Sequence, residues 1–233
     1  MALPKIETPR HNLTLPVSGL KIQYRPFLVK EQKVLLQAME MGGEDQIAAA
    51  VTDVASACTY RELRIEDLPL ADVEYLMLQI RGKSVGETSE LIYTCPHCDT
   101  KQPVTMSVTD VEVSKPNTED TIMIYEDVGV KMRPVTYGEV YELSKIESEV
   151  ERGYAVILAS VEKVFDNEQV YTRNDFSNDE LKAYLDDLPA STFTKIEQYV
   201  SNQPTVQKEM AVKCIHCDKE STYTAKGLSN FFH

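Results

Sequence analysis

The sequence predicts an α+β fold, and three observations carry the prediction. Apolar residues recur at helical spacing in three successive stretches between residues 28 and 82. From residue 87 to 132 the pattern changes to alternation, with Val104, Met106 and Val108, then Val128, Val130 and Met132, set between polar neighbours. A Cys-x-His-Cys-Asp turn occurs twice, at Cys95–Asp99 and Cys214–Asp218, each time behind a short strand-like segment. The expected organisation is an extended basic arm over 1–27 and a helical bundle over 28–86. A β module follows, made of 87–135 and 205–233, with a helical segment, 136–204, inserted between its halves.

Taken in order, Pro4, Pro9, Pro16 and Pro26 keep the arm from coiling into a helix. Leu13, Leu15 and Val17 alternate like an edge strand, and Ile22 and Tyr24 mark a second. The arm either packs on the chain's own body or lies along a partner, and the pattern leaves both open. Phe27 to Met41 reads as a helix with Leu28, Leu35, Leu36 and Met39 on one side, ended by Gly42-Gly43. A second helix runs from Glu44 to Tyr60; its stripe of Ile47, Val51, Val54 and Cys58 makes Cys58 a small buried hydrophobe. A third follows Asp67-Leu68-Pro69, with Pro69 suited to a first turn and Gly82 as its expected stop.

Ile122–Tyr125 and Val128–Met132 form an expected hairpin about Glu126-Asp127. Thr136-Tyr137-Gly138-Glu139 is a capping box. It opens what reads as the longest helix, apolar from Val140 to Phe165 and bent at Gly153. A second capping box, Ser177 with Glu180, precedes Leu181, Tyr184, Leu185 and Leu188, and a short helix over 191–200 presents Phe193, Ile196 and Val200. Phe231 and Phe232 near the C-terminus either dock on the core or offer an anchor to a neighbour.

The paired Cys turns supply what a structural Zn2+ needs. Two thiolates from each turn, Cys95, Cys98, Cys214 and Cys217, complete a tetrahedron and leave no position for water or substrate. The β module is therefore read as a split four-cysteine zinc ribbon. Its halves lie far apart in sequence, so the ion would close a loop worth ~4–5 kcal/mol by loop-closure entropy. Asp99 and Asp218 follow the turns, where short polar side chains tolerate positive φ. His97 and His216, between the paired cysteines, are expected to point outward. Cys-Pro-His-Cys is also the active-site tetrad of some thioredoxin-like oxidants, whose first thiol opens a helix. Here Asp99 to Thr105 includes Pro103 and β-branched residues, a poor helix start, and the motif occurs twice. A thiol–disulfide oxidoreductase stands as an alternative to zinc, as do unliganded structural cysteines.

At 233 residues the chain is long enough for one large or two small domains with a real core. No apolar run approaches a membrane span, and the N-terminus lacks the apolar stretch of a signal peptide. A cytoplasm-like compartment is expected, with reduced thiols rather than disulfides. The net charge of −13 repels phosphate, so nucleic acid and membrane are not expected partners. The charge is uneven: residues 1–40 carry six Lys/Arg against three Glu, a net of +3, and the remainder carries −16. Such a basic arm suits an acidic surface, the chain's own or a partner's. There is no phosphate-cradling glycine loop, Gly-x-Ser-x-Gly or His-Glu-x-x-His, and no catalytic residues are expected.

Several stretches together resemble one family. They are Leu13-Thr14-Leu15-Pro16-Val17-Ser18-Gly19, Tyr24-Arg25-Pro26-Phe27-Leu28-Val29-Lys30-Glu31, Leu68-Pro69-Leu70-Ala71-Asp72-Val73-Glu74-Tyr75-Leu76, Arg81-Gly82-Lys83-Ser84-Val85-Gly86-Glu87 and Cys95-Pro96-His97-Cys98. The sequence resembles the baseplate hub protein family of T-even-type contractile-tailed bacteriophages, most closely over residues 13–98. The resemblance implies a non-enzymatic protein that helps build the baseplate hub, with other hub or tail proteins as partners. It would act in the host cytoplasm during assembly, in the virion tail, or in both. A hub subunit kept in the particle and an assembly chaperone that departs both fit, and homo-oligomerisation stays open.

Overall fold

The computed structural model describes residues 7–115 and 118–228, the Glu44 side chain excepted. The expectations that fell on residues 1–6, on Pro116 and Asn117 and on Phe231 and Phe232 lie outside these. The chain is a mixture of helix and sheet in two compact units, one from Met1–Val113 with Thr205–His233 and one from Ser114–Pro204.

The first unit opens with a hairpin of β1 (His11–Thr14) and β2 (Lys21–Tyr24). Gly19, at φ 70°, makes the tight reversal between them. Its Leu15, Ile22 and Tyr24 are buried, and the Val17 and Ser18 amides donate to the Asp72 carboxylate at 2.8 Å each. Leu15, Ile22 and Tyr24 of the arm therefore belong to the chain's own core.

Helix α1 (Val29–Met41) follows, then α2 (Glu44–Cys58), a 3-10 turn (Ile65–Asp67) and α3 (Leu70–Ser84). Val73, Leu76, Met77, Leu78 and Ile80 of α3 are all at most 1% exposed, so this helix is the unit's centre, and Cys58 is buried as its stripe required. Two expectations fail here. The Leu/Met stripe of α1 is not a core face: Leu36 and Met39 are exposed, and only Glu31 and Ala38 of this helix are buried. Glu31 is drawn inward because it accepts from Arg25 and from the Leu28 amide. Nor does Gly82 end α3, which continues to Ser84. A Cβ at Gly82 would stand 2.2 Å from the Thr109 methyl, so this glycine permits close packing rather than a stop.

Strands β3 (Thr88–Thr94) and β4 (Lys101–Ser107) pair with each other. The short β5 (Glu112–Val113) borders a sheet of order β11-β10-β5, with β10 at Val206–Lys213 and β11 at Glu220–Lys226. Leu78 of α3, Leu91, Met106, Val206, Val212 and Ala225 of these strands, and Val108 just past β4 share one buried cluster.

In the second unit, β6 (Thr121–Met123) and β7 (Gly129–Met132) form the expected hairpin. The expected long helix is instead three elements: α4 (Tyr137–Ser144), α5 (Glu149–Ser160) and strand β8 (Val161–Phe165). The interruption lies at 145–148, ahead of Gly153. There Ser148 starts a new helix by accepting from the Glu151 amide. Beyond Ser160 two valines and a phenylalanine suit a strand, and pairing with β7 overrides the helical spacing. β9 (Val170–Thr172) completes the order β6-β7-β8-β9. α6 (Asn178–Asp186) and α7 (Ala190–Ser201) cover it, with Val130, Met132, Ile157, Val161, Leu181, Leu185, Ile196 and Tyr199 as core.

Candidate metal centre

Each Cys turn closes by the same backbone bonds. The Cys95 amide donates to the Thr100 carbonyl at 3.0 Å and the Asp99 amide to the Cys95 carbonyl at 3.0 Å; the counterparts are Cys214 to Lys219 at 2.9 Å and Asp218 to Cys214 at 3.1 Å. Asp99 and Asp218 have φ of 55° and 57°, the left-handed step that brings each chain back into a strand. The His97 and His216 amides point at the first sulfur of their turns, at 3.5 and 3.4 Å, while both imidazoles are exposed.

The fold brings the four cysteine sulfurs within 4.8 Å of one another. Cys95 and Cys214 are buried, Cys98 and Cys217 half-buried. Across the turns, Sγ of Cys95 lies 3.8 Å from Cys217 and that of Cys98 lies 3.6 Å from Cys214. A tetrahedral ion with Zn–S of about 2.3 Å holds its sulfurs about 3.8 Å apart. A disulfide would need about 2.05 Å. The donor set and its spacing therefore fit a four-thiolate Zn2+ site. No helix opens at either first cysteine, since β4 and β11 follow the turns, so the geometry does not favour the oxidoreductase alternative.

The sulfurs are electrostatically unequal. Hydrogen bonding to Thr100, side chain first and then backbone, holds the Cys98 thiol down to about 6. Cys217 is pushed up to about 11: its bond with the Lys219 backbone lowers it, but desolvation and the neighbouring sulfurs outweigh that. A negative sulfur among three others resists a second negative charge, the tension a divalent cation relieves.

Two residues that the motif reading passed over tie the turns together. Gln102, buried in β4, donates to the Lys213 carbonyl at 3.0 Å and accepts from the Ile215 amide at 2.9 Å. Tyr93 shares a hydrogen bond with Ser221 and meets Tyr223 edge-on, with ring centroids 5.7 Å apart. A buried Gln beside a Cys turn is the one sequence signal that could have marked the first; nothing local marks the second.

A family model described as T4 bacteriophage base plate protein matches residues 8–233. No curated protein and no solved structure matches the chain.

Proposed function

Since the chain belongs to the T4 bacteriophage base plate protein family, we propose that it is a non-enzymatic structural subunit taking part in building the base plate hub. In this reading Cys95, Cys98, Cys214 and Cys217 hold one structural Zn2+, and 136–204, with helices α4 to α7 and strands β8 and β9, is an insertion between the two halves of a split ribbon. The observation that carries the zinc assignment is four sulfurs from two distant turns gathered within 4.8 Å. A bound ion would supply a cross-link, with every coordination position taken by protein sulfur. The chain's own residues do the rest. The His97 and His216 amides support the inner sulfurs, Gln102 fixes the spacing of the two turns, and Tyr93 with Ser221 links β3 to β11. Its partners are other base plate proteins, met during assembly in the host cytoplasm and retained in the tail.

Metal content of the purified chain and protein analysis of purified particles test the two halves of this reading. One zinc per chain, lost with Cys95→Ser, and the chain's presence in finished particles are expected. A metal-free protein with four titratable thiols would overturn the zinc assignment. Absence from finished particles would turn the subunit into a departing assembly factor.

A further inference from the structure

The two halves of the chain carry the same succession of devices. Arg25-Pro26 after β2 is matched by Arg133-Pro134 after β7. In both, the guanidinium donates to the proline carbonyl, at 2.9 and 3.2 Å, and pairs with the glutamate six residues on, Glu31 or Glu139. That glutamate accepts from the helix-cap amide, Leu28 at 2.6 Å or Thr136 at 2.8 Å. The arginine amide donates to the carbonyl that ends the following helix pair, Cys58 at 3.0 Å or Ser160 at 2.7 Å. The amide after the proline is held from the end of the last helix, Phe27 by Ser84, the final residue of α3, and Val135 by Gln203, two residues past α7. Asp67-Leu68-Pro69 opens α3 as Asp187-Leu188-Pro189 opens α7, and a Cys-x-His-Cys hairpin follows each. The chain is a tandem repeat.

The repeats part company at one place. After α5 the second runs straight into β8, which pairs with β7 at Gly129↔Phe165 and Lys131↔Lys163. After α2 the first turns aside at Tyr60 and Arg61, both at left-handed φ (57° and 61°) that L-residues rarely adopt. The Tyr60 hydroxyl there is buried without a hydrogen-bond partner among the described residues. In consequence, among the described residues, β2 keeps open the edge that β7 gives to β8, and β1 is its one ladder partner there.

The Leu15 amide bond to Leu20 sets the ladder's alternation, so Lys21 and Gln23 turn their N–H and C=O groups away from β1. They are the counterparts of Gly129 and Lys131. A groove of about 500 Å³ lies alongside, lined by residues of β1 and β2 including Leu13, Ile22 and Gln23, and by Thr59, Glu62 and Leu63. Basic residues outnumber acidic ones around it: Lys21 lines it, Arg61 falls in the chain between its lining residues Thr59 and Glu62, and Arg10 has its guanidinium 4.9 Å over the neighbouring Tyr60 ring, against Glu62, in a chain of net charge −13. Pairing two copies through this edge would bring two such basic sets together, which like-charge repulsion disfavours.

We propose that the open edge of β2 receives an extended strand of another base plate protein. This strand is acidic, lies antiparallel to β2 and takes the place that β8 holds in the second repeat. The proposal rests on the reading of this chain as a base plate subunit. Backbone groups of Lys21 and Gln23 supply the ladder, the groove takes alternate apolar side chains, and the basic residues around it select carboxylates.

Gln23→Pro removes an outward N–H while keeping the backbone bonds to β1, a position where edge strands tolerate proline; Gln23→Ala keeps the N–H and those backbone bonds, and both lose the side-chain bond to Asn12. Each full-length protein is supplied to phage lacking this chain. Gln23→Pro is expected to keep the wild-type melting temperature and zinc content but fail to restore base plates, whereas Gln23→Ala restores them. In amide exchange, Lys21 and Gln23 are expected to be open in the purified chain and protected in base plate complexes. If the proline disturbs folding, Lys21→Glu is read in its place and should also fail to restore assembly. Normal assembly with a folded Gln23→Pro would overturn the proposal. So would a dimer of the purified chain that this substitution dissolves. If the wild-type chain is absent from finished particles while Gln23→Pro still blocks assembly, the retained-subunit reading falls and the edge stands.

Discussion

Gln102 spans from one Cys turn to the backbone of the other with a single side-chain amide, both of whose bonds are part-buried. Removing it takes two bonds from the exposed Lys213 and Ile215 backbone, which water can partly replace, at a cost of ~0.5–1.5 kcal/mol. Gln102→Ala is expected to lower urea-unfolding stability by that amount and to speed zinc loss to a chelator, while Gln102→Glu keeps only the bond from Ile215. Glu74 shows the opposite balance. Desolvation raises its carboxyl above the ordinary range, although bonds from the Leu228 and Val206 amides act to lower it. The folded state thus favours the protonated form. Stability from this group is full below its unfolded pKa of ~4.3 and declines as pH rises towards the raised folded value. Glu74→Gln, which cannot ionise, should exceed the wild type in stability at pH 7, and the advantage should vanish at pH 4. A constant difference across that range would contradict it.

At the scale of elements, neighbours decide where helices stop. Gly82 sits inside α3 because Thr109 occupies the space a side chain would need. Gly82→Ala alone should destabilise the protein despite alanine's helix propensity, which favours it by ~1 kcal/mol. In Gly82→Ala with Thr109→Ala the obstructing methyl is gone and the propensity gain should reappear, giving a non-additive double-mutant cycle in thermal melts. The break between α4 and α5 is likewise specific. Ser148→Ala removes the side-chain acceptor for the Glu151 amide and should cost ~0.5–2 kcal/mol, read in denaturant unfolding.

For the whole molecule, the decisive links are those between segments distant in sequence. If zinc is bound as proposed, Cys95→Ser should lower metal content and stability together, the loop-closure part alone being worth ~4–5 kcal/mol. The hairpin of β1 and β2 is a second such link, because Leu15 is fully buried and Val17 and Ser18 bind Asp72 of α3. Deleting residues 7–20 should therefore lower the melting temperature sharply or leave an aggregating chain. A deletion that melts like the full protein would mean that the hairpin is dispensable to the core.

By itself the sequence determined the mixed helix and strand content, the three N-terminal helices, the two capping boxes and the four cysteines that come together. Each of these rests on local chemistry: apolar spacing, a side chain three residues from its amide, a thiol pair on a tight turn. Tertiary structure decided what competing periodicities left ambiguous. Residues 161–165 fit a helical stripe and a strand equally, and only β7 lying alongside made them β8. The apolar side of α1 resembled a core face until the pairing of Arg25 with Glu31 set which side turned inward. Gln102, Tyr93 and the open edge of β2 were invisible beforehand because their roles depend on partners remote in the chain, and no local pattern records a neighbour that only folding supplies.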